Sequence, residues 1–291
     1  MKPPPFQYHR PQSVQQALQV LHGHDNARVI AGGQSLMPML NMRLAAPDHL
    51  IDLAGIGSLA YIAEQGDTIA IGAMTTQRTI EFSEVTRRRL PLLAEAILSV
   101  GHRQTRNRGT LGGSLCHLDP SAELPLVAMA FGATVRATSV AGTRDIPMAE
   151  FAADFMTPAI EPGEIVTEVR FSPWPSGHGA AFIEFARRKG DFAVVAVAAM
   201  LALGPDGRIE RAALAVGGVG PVPVRVSDAE AMLVGNAPDA ALFARAAAPC
   251  AAIEPLTDPH APPWYRRRVA STLARRALET AAQRARGTSH G

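Results

Sequence analysis

The run Ala193 to Leu203, AVVAVAAMLAL, is the longest apolar stretch in the chain and sets the first limit on what it can fold into. A bilayer-spanning helix needs about 20 such residues, so this run does not cross a membrane. With AFIEFARR before it and RIERAALAVGG after it, it reads as one of three antiparallel strands. Gly204-Pro205-Asp206-Gly207 supplies the turn between the last two, because Pro fixes φ and Asp-Gly tolerates positive φ. The residues beyond are Ala-rich and end in WYRRRVASTLARRALETAAQRAR, a helical pattern. Its inner face holds Val269, Leu273 and Leu278, and Arg266, Arg267 and Arg268 are expected on its outer face.

Upstream, Ser13 is positioned as the N-cap of a helix, SVQQALQVLHGH. The strand-like ARVIA, a Gly-Gly turn, the short apolar helix LMPMLNMRL and the strand HLIDL then form a compact first lobe. A second lobe begins with YIAEQ and TIAIGA, a hairpin around Gly66-Asp67. Helical character follows at Thr75 to Phe82 and Leu90 to Val100, then a polar, Gly-rich stretch, HRQTRNRGTLGGS, and a helix, AELPLVAMAFG. ATVRATS and EIVTEVRF are strand candidates. SPWPSGHG, residues 172–179, carries two prolines and two glycines and reads as a linker. Residues 1–175, with lobes at about 1–57 and 58–175, are therefore expected to form one domain and residues 176–291 another.

Composition removes several function classes. A hydrophobic fraction of 47% supports a core of normal size, and a net charge of +2 is too small for a nucleic-acid signature. Cys116 and Cys250 form no CxxC, so the chain cannot ligate its own iron–sulfur cluster, and the lack of a disulfide framework suits a reducing cytoplasm. MKPPPFQYHRP is no apolar signal core. His22-Gly23-His24 offers two imidazoles without a third ligand in register and reads as a loop, so no metal site is expected.

Two motifs carry chemistry. Ala31-Gly32-Gly33-Gln34-Ser35 follows a strand directly. Adjacent glycines let the backbone turn sharply and approach a ligand, and consecutive N–H groups in such a turn form a nest for anionic oxygens. Thr110-Leu111-Gly112-Gly113-Ser114 repeats the arrangement with flanking hydroxyls and nearby Arg106 and Arg108. Each motif alone reads as a structural turn as easily as a binding loop, but together they suggest a two-sided diphosphate clamp. No Walker A loop is present. Gly55-Ile56-Gly57-Ser58-Leu59-Ala60 superficially matches a dinucleotide fingerprint. The residues after it alternate like a hairpin, whereas that fingerprint must open a helix whose N-terminus faces the pyrophosphate.

In order and spacing, AGGQSLMPMLNMRLAAPDHLIDL, IGAMTTQRTIEFS, RNRGTLGGSLCHLDPSAELP and ARRKGDFAVVAVAAML resemble the flavoprotein (medium) subunit of the xanthine dehydrogenase and carbon monoxide dehydrogenase family. The resemblance runs over almost the whole chain. It implies an α+β fold: a two-lobed FAD-binding domain of the PCMH type, then a smaller α+β domain with an antiparallel sheet and helices. It implies that Val29, Ile30, Ala31, Gly32, Gly33, Gln34, Ser35 and Leu36 form one FAD segment, and Thr110, Leu111, Gly112, Gly113 and Ser114 the other. Glu123 falls near the FAD ribose, with Asp119 as second choice. Val100 and Val166 fall at apolar cofactor contacts. Arg188, Lys189 and Phe192 fall near the isoalloxazine ring. Phe192 reads equally as core filling, Arg188 and Lys189 as a solvated loop, Cys116 as a small buried hydrophobe, and His102 and His117 as packing residues.

The resemblance further implies FAD in this chain, with the molybdenum cofactor on a large partner subunit and 2Fe–2S clusters on a small one, in a heterotrimer or its dimer. Gln34 stands where covalent flavoproteins often present a His, so the FAD is expected to be non-covalent. Two rivals remain: a free-standing FAD oxidase, for which no convincing base is found, and a cofactor-free scaffold that keeps the fold.

Overall fold

A computed structural model describes residues 2–287. The first lobe is a three-stranded parallel sheet of β1 (Gln7–His9), β2 (Ala27–Ile30) and β3 (His49–Asp52) in the order β1-β3-β2. Parallel neighbours need crossovers, and α1 (Val14–Gly23) and α2 (Leu36–Asn41) provide them. Ser13 caps α1 as expected, its hydroxyl accepting the Gln16 N–H at 3.2 Å. His22 and Gly23 belong to the last turn of that helix rather than to a loop. The stretch Gly55 to Ala60 forms two 3-10 turns and no longer helix, as the rejection of the fingerprint requires.

The second lobe is an antiparallel sheet. β4 (Ile62–Gln65) and β5 (Thr68–Gly72) make the hairpin around Gly66, and β6 (Thr134–Ser139) pairs with β7 (Gly142–Pro147). A two-stranded ribbon, β8 (Ala152–Asp154) and β9 (Thr157–Pro158), precedes β10 (Ile165–Phe171). β10 joins the hairpins in the order β4-β5-β10-β6-β7. Between β5 and β6 lie α3 (Gln77–Phe82), α4 (Glu84–Arg89), α5 (Pro91–Ala96), α6 (Arg103–Arg108), α7 (Leu111–His117) and α8 (Glu123–Phe131); α9 (Met148–Phe151) follows β7. HRQTRNRGTLGGS is therefore not a loop but the two short helices α6 and α7. Every residue of α8 is buried, so it is a core helix.

The C-terminal sheet runs β11 (Gly179–Ala186), β12 (Ala193–Leu203), β13 (Ile209–Gly217) and β14 (Val224–Arg225), all antiparallel. β12 explains its own apolarity. Ala196, Ala198 and Met200 pack into the cluster containing α8, while Val195, Val197, Ala199 and Leu201 pack into a second cluster. That second cluster is closed by α10 (Ser227–Leu233), α11 (Ala240–Ala247) and α12 (Pro263–Ala285). With helices over both faces, alternation would bury polar groups without partners. α12 corrects one expectation. Arg268 is exposed, but Arg266 lies in register with Ala270, Leu273 and Ala277 and is 2% exposed. No helix among the described residues is long and apolar enough to cross a membrane.

Candidate functional site

After Ile30 the chain turns through Ala31-Gly32-Gly33 into α2. Gly33 holds φ at +73°, where a side chain would be strained. The Gln34 Nε2 folds back to donate to the Gly32 carbonyl at 3.3 Å, and Ser35 gives α2 no side-chain cap. Among the described residues, the backbone N–H groups of Gly33, Gln34 and Ser35 have no protein partner. This turn is a nest with free donors.

The second Gly-Gly motif is built differently. Thr110 caps α7, its Oγ1 accepting the Gly113 N–H at 3.1 Å. The Leu111 N–H donates to the Thr75 carbonyl and the Gly112 N–H to the Ala73 carbonyl. Those amides are committed, so this motif is no second nest. Its glycines serve close packing instead. A Cβ on Gly112 would sit 2.6 Å from the Ala73 Cβ, and one on Gly113 would sit 3.2 Å from the Ala31 Cβ. A Cβ on Gly32 would fall 2.1 Å from the Arg108 carbonyl oxygen. The two motifs abut backbone to backbone, and side chains would hold them apart.

They border a cleft of about 1090 Å³. Small-ligand sites run to roughly 1,000 Å³, so this one suits a ligand of dinucleotide size. Of the residues expected at the site, Val29, Ala31, Gly32, Gly33, Gln34, Ser35, Leu36, Val100, Thr110, Gly112, Gly113, Ser114, Glu123, Val166 and Phe192 line it. Ile30 and Leu111 do not, because both side chains pack into hydrophobic clusters. Asp119 stands off the wall, its carboxylate accepting the Ser121 N–H at 2.8 Å. Arg188 and Lys189 are exposed outside the walls, while Phe192, 60% exposed, faces the cleft and fills no core.

Other wall residues were not singled out in the sequence. Arg28 alone breaks the apolar run of β2, and that interruption was a usable signal. Residues 156–165, MTPAIEPGEI, form a Pro- and Gly-rich segment of the wall, the kind of loop that carries function. Gln77 is buried, and its Oε1 has no hydrogen-bond partner. The residue borders the cleft, but this oxygen is itself enclosed.

Of the two cations expected beside the second motif, Arg108 is exposed and Arg106 has other work. Arg106 pairs with Glu81 at 3.0 Å and donates to the carbonyls of Val100 and Gly101, positioning a stretch of wall. Burial raises the Glu81 carboxyl, but the Arg106 and Arg78 guanidiniums outweigh it and hold the group below its ordinary range. Desolvation pushes the Cys116 thiol up to about 12, so it is a poor nucleophile. The ring of His102 packs where a Gly190 side chain would stand, a packing role rather than a phosphate contact.

Glu123 opens α8 and is 4% exposed. Burial, helped by the nearby Glu184 and Asp119 carboxylates, pushes its pKa up to about 8, although its own backbone hydrogen bond lowers it. At neutral pH it holds a proton and can donate to a ligand oxygen. A raised folded-state pKa gives stability that is full below about 4.5 and is lost as pH climbs through about 8. Glu123→Gln therefore removes a pH slope worth on the order of a few kcal/mol across that window. Thermal unfolding of the flavin-free chain should fall less steeply between acidic and alkaline buffer in the variant than in the wild type. Parallel profiles would show that Glu123 titrates normally.

Comparison with known proteins agrees with this architecture. The family described as "FAD binding domain in molybdopterin dehydrogenase" matches residues 4–174, and "CO dehydrogenase flavoprotein C-terminal domain" matches residues 180–281. The 6-hydroxypseudooxynicotine dehydrogenase complex subunit alpha of Paenarthrobacter nicotinovorans is 41% identical over 99% of this chain and 98% of its own. The carbon monoxide dehydrogenase medium chain of Afipia carboxidovorans is 37% identical over 98% of this chain and all of its own. A solved carbon monoxide dehydrogenase from Hydrogenophaga pseudoflava superposes with a TM-score of 0.95 at 35% identity, covering 98% of this chain and 99% of that one. The chain belongs to the family of FAD-binding medium subunits of molybdenum hydroxylases, the family of carbon monoxide dehydrogenase and xanthine dehydrogenase.

Proposed function

We propose that this chain is the electron-transfer flavin subunit of a heteromeric molybdenum hydroxylase, holding FAD non-covalently between a partner's 2Fe–2S clusters and an external acceptor. The observation that carries this reading is the abutment of the two Gly-Gly motifs at one cleft, with free amides on one side. When bound, FAD supplies the capacity to exchange one or two electrons at a time.

The residues of this chain hold and orient it. The amides of Gly33, Gln34 and Ser35, with the Ser114 hydroxyl opposite, take the diphosphate. Glu123, protonated, is placed for a ribose oxygen; Asp119 is spent on Ser121. Val100 and Val166 give apolar contact, and the exposed ring of Phe192 covers the isoalloxazine end. Arg188 and Lys189 lie just before Gly190 at the rim, where their charge acts through solvent only. Gln34 has no nucleophilic nitrogen for a covalent flavin bond. Residues 1–175 act as the cofactor-binding domain and 176–291 as the second domain that closes the Phe192 side.

The large subunit with the molybdenum cofactor and the small cluster subunit complete a heterotrimer or its dimer, in the cytoplasm, where Cys116 and Cys250 stay reduced. Relatives named for 6-hydroxypseudooxynicotine and for carbon monoxide share this chain type, so substrate choice is assigned to the molybdenum subunit.

The visible spectrum of the purified chain, before and after acid precipitation, tests the reading. Flavin absorption that moves to the supernatant as FAD is expected. A chain that is colourless and takes up no added FAD overturns the cofactor role, and flavin retained in the pellet overturns the non-covalent one. Turnover of a small organic donor by the isolated chain would instead mark a free-standing oxidase.

A further inference from the structure

Three histidines from three separate segments converge away from the cleft. His9 closes β1, His49 opens the adjacent β3, and His24 is the residue after α1. One ring nitrogen of each lies within 4.8 Å of the other two. His9 Nε2 and His49 Nδ1 face each other at 3.0 Å. At that distance one ring N–H donates to the other ring's lone pair, so the two nitrogens already point at a common centre. Nitrogen ligands about 2.0–2.1 Å from a tetrahedral Zn²⁺ stand about 3.4 Å apart, so a small adjustment converts this pair into two ligands. His24 Nδ1 donates to the Val20 carbonyl at 2.9 Å, which leaves Nε2 as its lone-pair nitrogen. Metal-ligating histidines are oriented by this kind of backbone hydrogen bond. The His24 and His49 rings lie with centroids 4.0 Å apart, and none of the three residues lines the cleft.

We propose that His9, His24 and His49 form a binding site for one divalent transition-metal ion of the Zn²⁺ class, with a fourth position open to solvent. Three imidazoles and no oxygen ligand disfavour Ca²⁺ and Mg²⁺, which are bound through oxygen. The ion takes the place of the hydrogen between His9 and His49, which moves to the outer nitrogen of its own imidazole, so both rings bind as neutral ligands. It clips the three-residue strand β1 to β3 and to the end of α1. α1 and β2 contribute Leu21 and Arg28 to the cleft wall, so the clip steadies the lobe without touching the cofactor.

Calorimetric titration of Zn²⁺ alone into the untagged, chelator-treated full chain tests the site, with Co²⁺ absorption in parallel. One equivalent should bind, raise Tm, and give Co²⁺ the intense bands of a low-coordinate nitrogen site. His24→Ala should weaken binding by roughly tenfold or more while keeping the wild-type circular dichroism. The neighbouring His22→Ala should change nothing. The site is overturned if the wild type takes up no stoichiometric Zn²⁺, if Co²⁺ keeps the weak spectrum of the aqua ion, or if His24→Ala and His9→Gln together bind as well as the wild type. FAD content does not enter any of these readouts.

Discussion

Gly32→Ala is expected to yield a folded chain that cannot retain FAD. The added Cβ would lie 2.1 Å from the Arg108 carbonyl oxygen and 2.8 Å from the Gly109 Cα. Both neighbours are backbone, so no rotamer change relieves the overlap, and the two Gly-Gly motifs must part. Overpacking of this kind costs about 1–3 kcal/mol or more. The overlap is next to the free amides of residues 33–35, so separating the motifs displaces the donors proposed for the diphosphate. We expect FAD affinity to fall at least ~100-fold, equivalent to about 2.7 kcal/mol. Flavin content after gel filtration and a fluorescence titration with FAD measure this. Gly57→Ala is the control, because a Cβ there meets nothing within 4 Å and the residue lies in the same lobe. Wild-type flavin retention by Gly32→Ala would mean that the two motifs do not jointly hold the cofactor.

That substitution also marks what the sequence can and cannot reveal. Adjacent glycines signal close backbone approach, but not which backbone approaches. The second motif looked like a loop because glycine is a poor helix former. Thr110 nevertheless caps a helix there, and the glycines are needed because Ala73 and Ala31 press against it. β12 was legible because burial on both faces leaves one composition, whereas β1 was not. It is three residues long, stands among prolines, and pairs in parallel with a strand distant in sequence. Diphosphate chemistry could be read from the residues themselves, but FAD came only from the family resemblance. His24 gave no metal signal because its two companions lie on other segments. Arg106 looked available to a ligand because nothing in the sequence shows Glu81 beside it.

Arg266→Leu is expected to destabilise the chain by about 3 kcal/mol, although a helical wheel read in isolation places arginines outside. The guanidinium donates to the carbonyls of Val194, at 2.6 Å, and Gly218, and pairs with Asp258. It thereby ties α12 to the start of β12 and the end of β13. Leucine packs against the same cluster but takes the guanidinium donor from two carbonyls and the ion-pair partner from Asp258. Removing one member of a buried charged network costs roughly 3–5 kcal/mol, and the partial exposure of Asp258 argues for the lower end. A Tm lower by roughly 6–12 °C is expected. Arg266→Lys should recover little, because a single ammonium cannot span all three acceptors. Burial raises the Asp258 carboxyl, yet Arg266 and the amides of His260 and Ala261 together hold it below 3.8. A depressed carboxylate gives stability that is present above its unfolded pKa and is lost as pH falls through its folded one. The Tm gap between wild type and Arg266→Leu should therefore narrow below about pH 4. Phe192 stands two residues before Val194, so loosening the start of β12 should also speed flavin release in the variant. An unchanged Tm would mean that water replaces the guanidinium at both carbonyls; a lowered Tm with an unchanged release rate would separate the anchoring of α12 from the placement of Phe192.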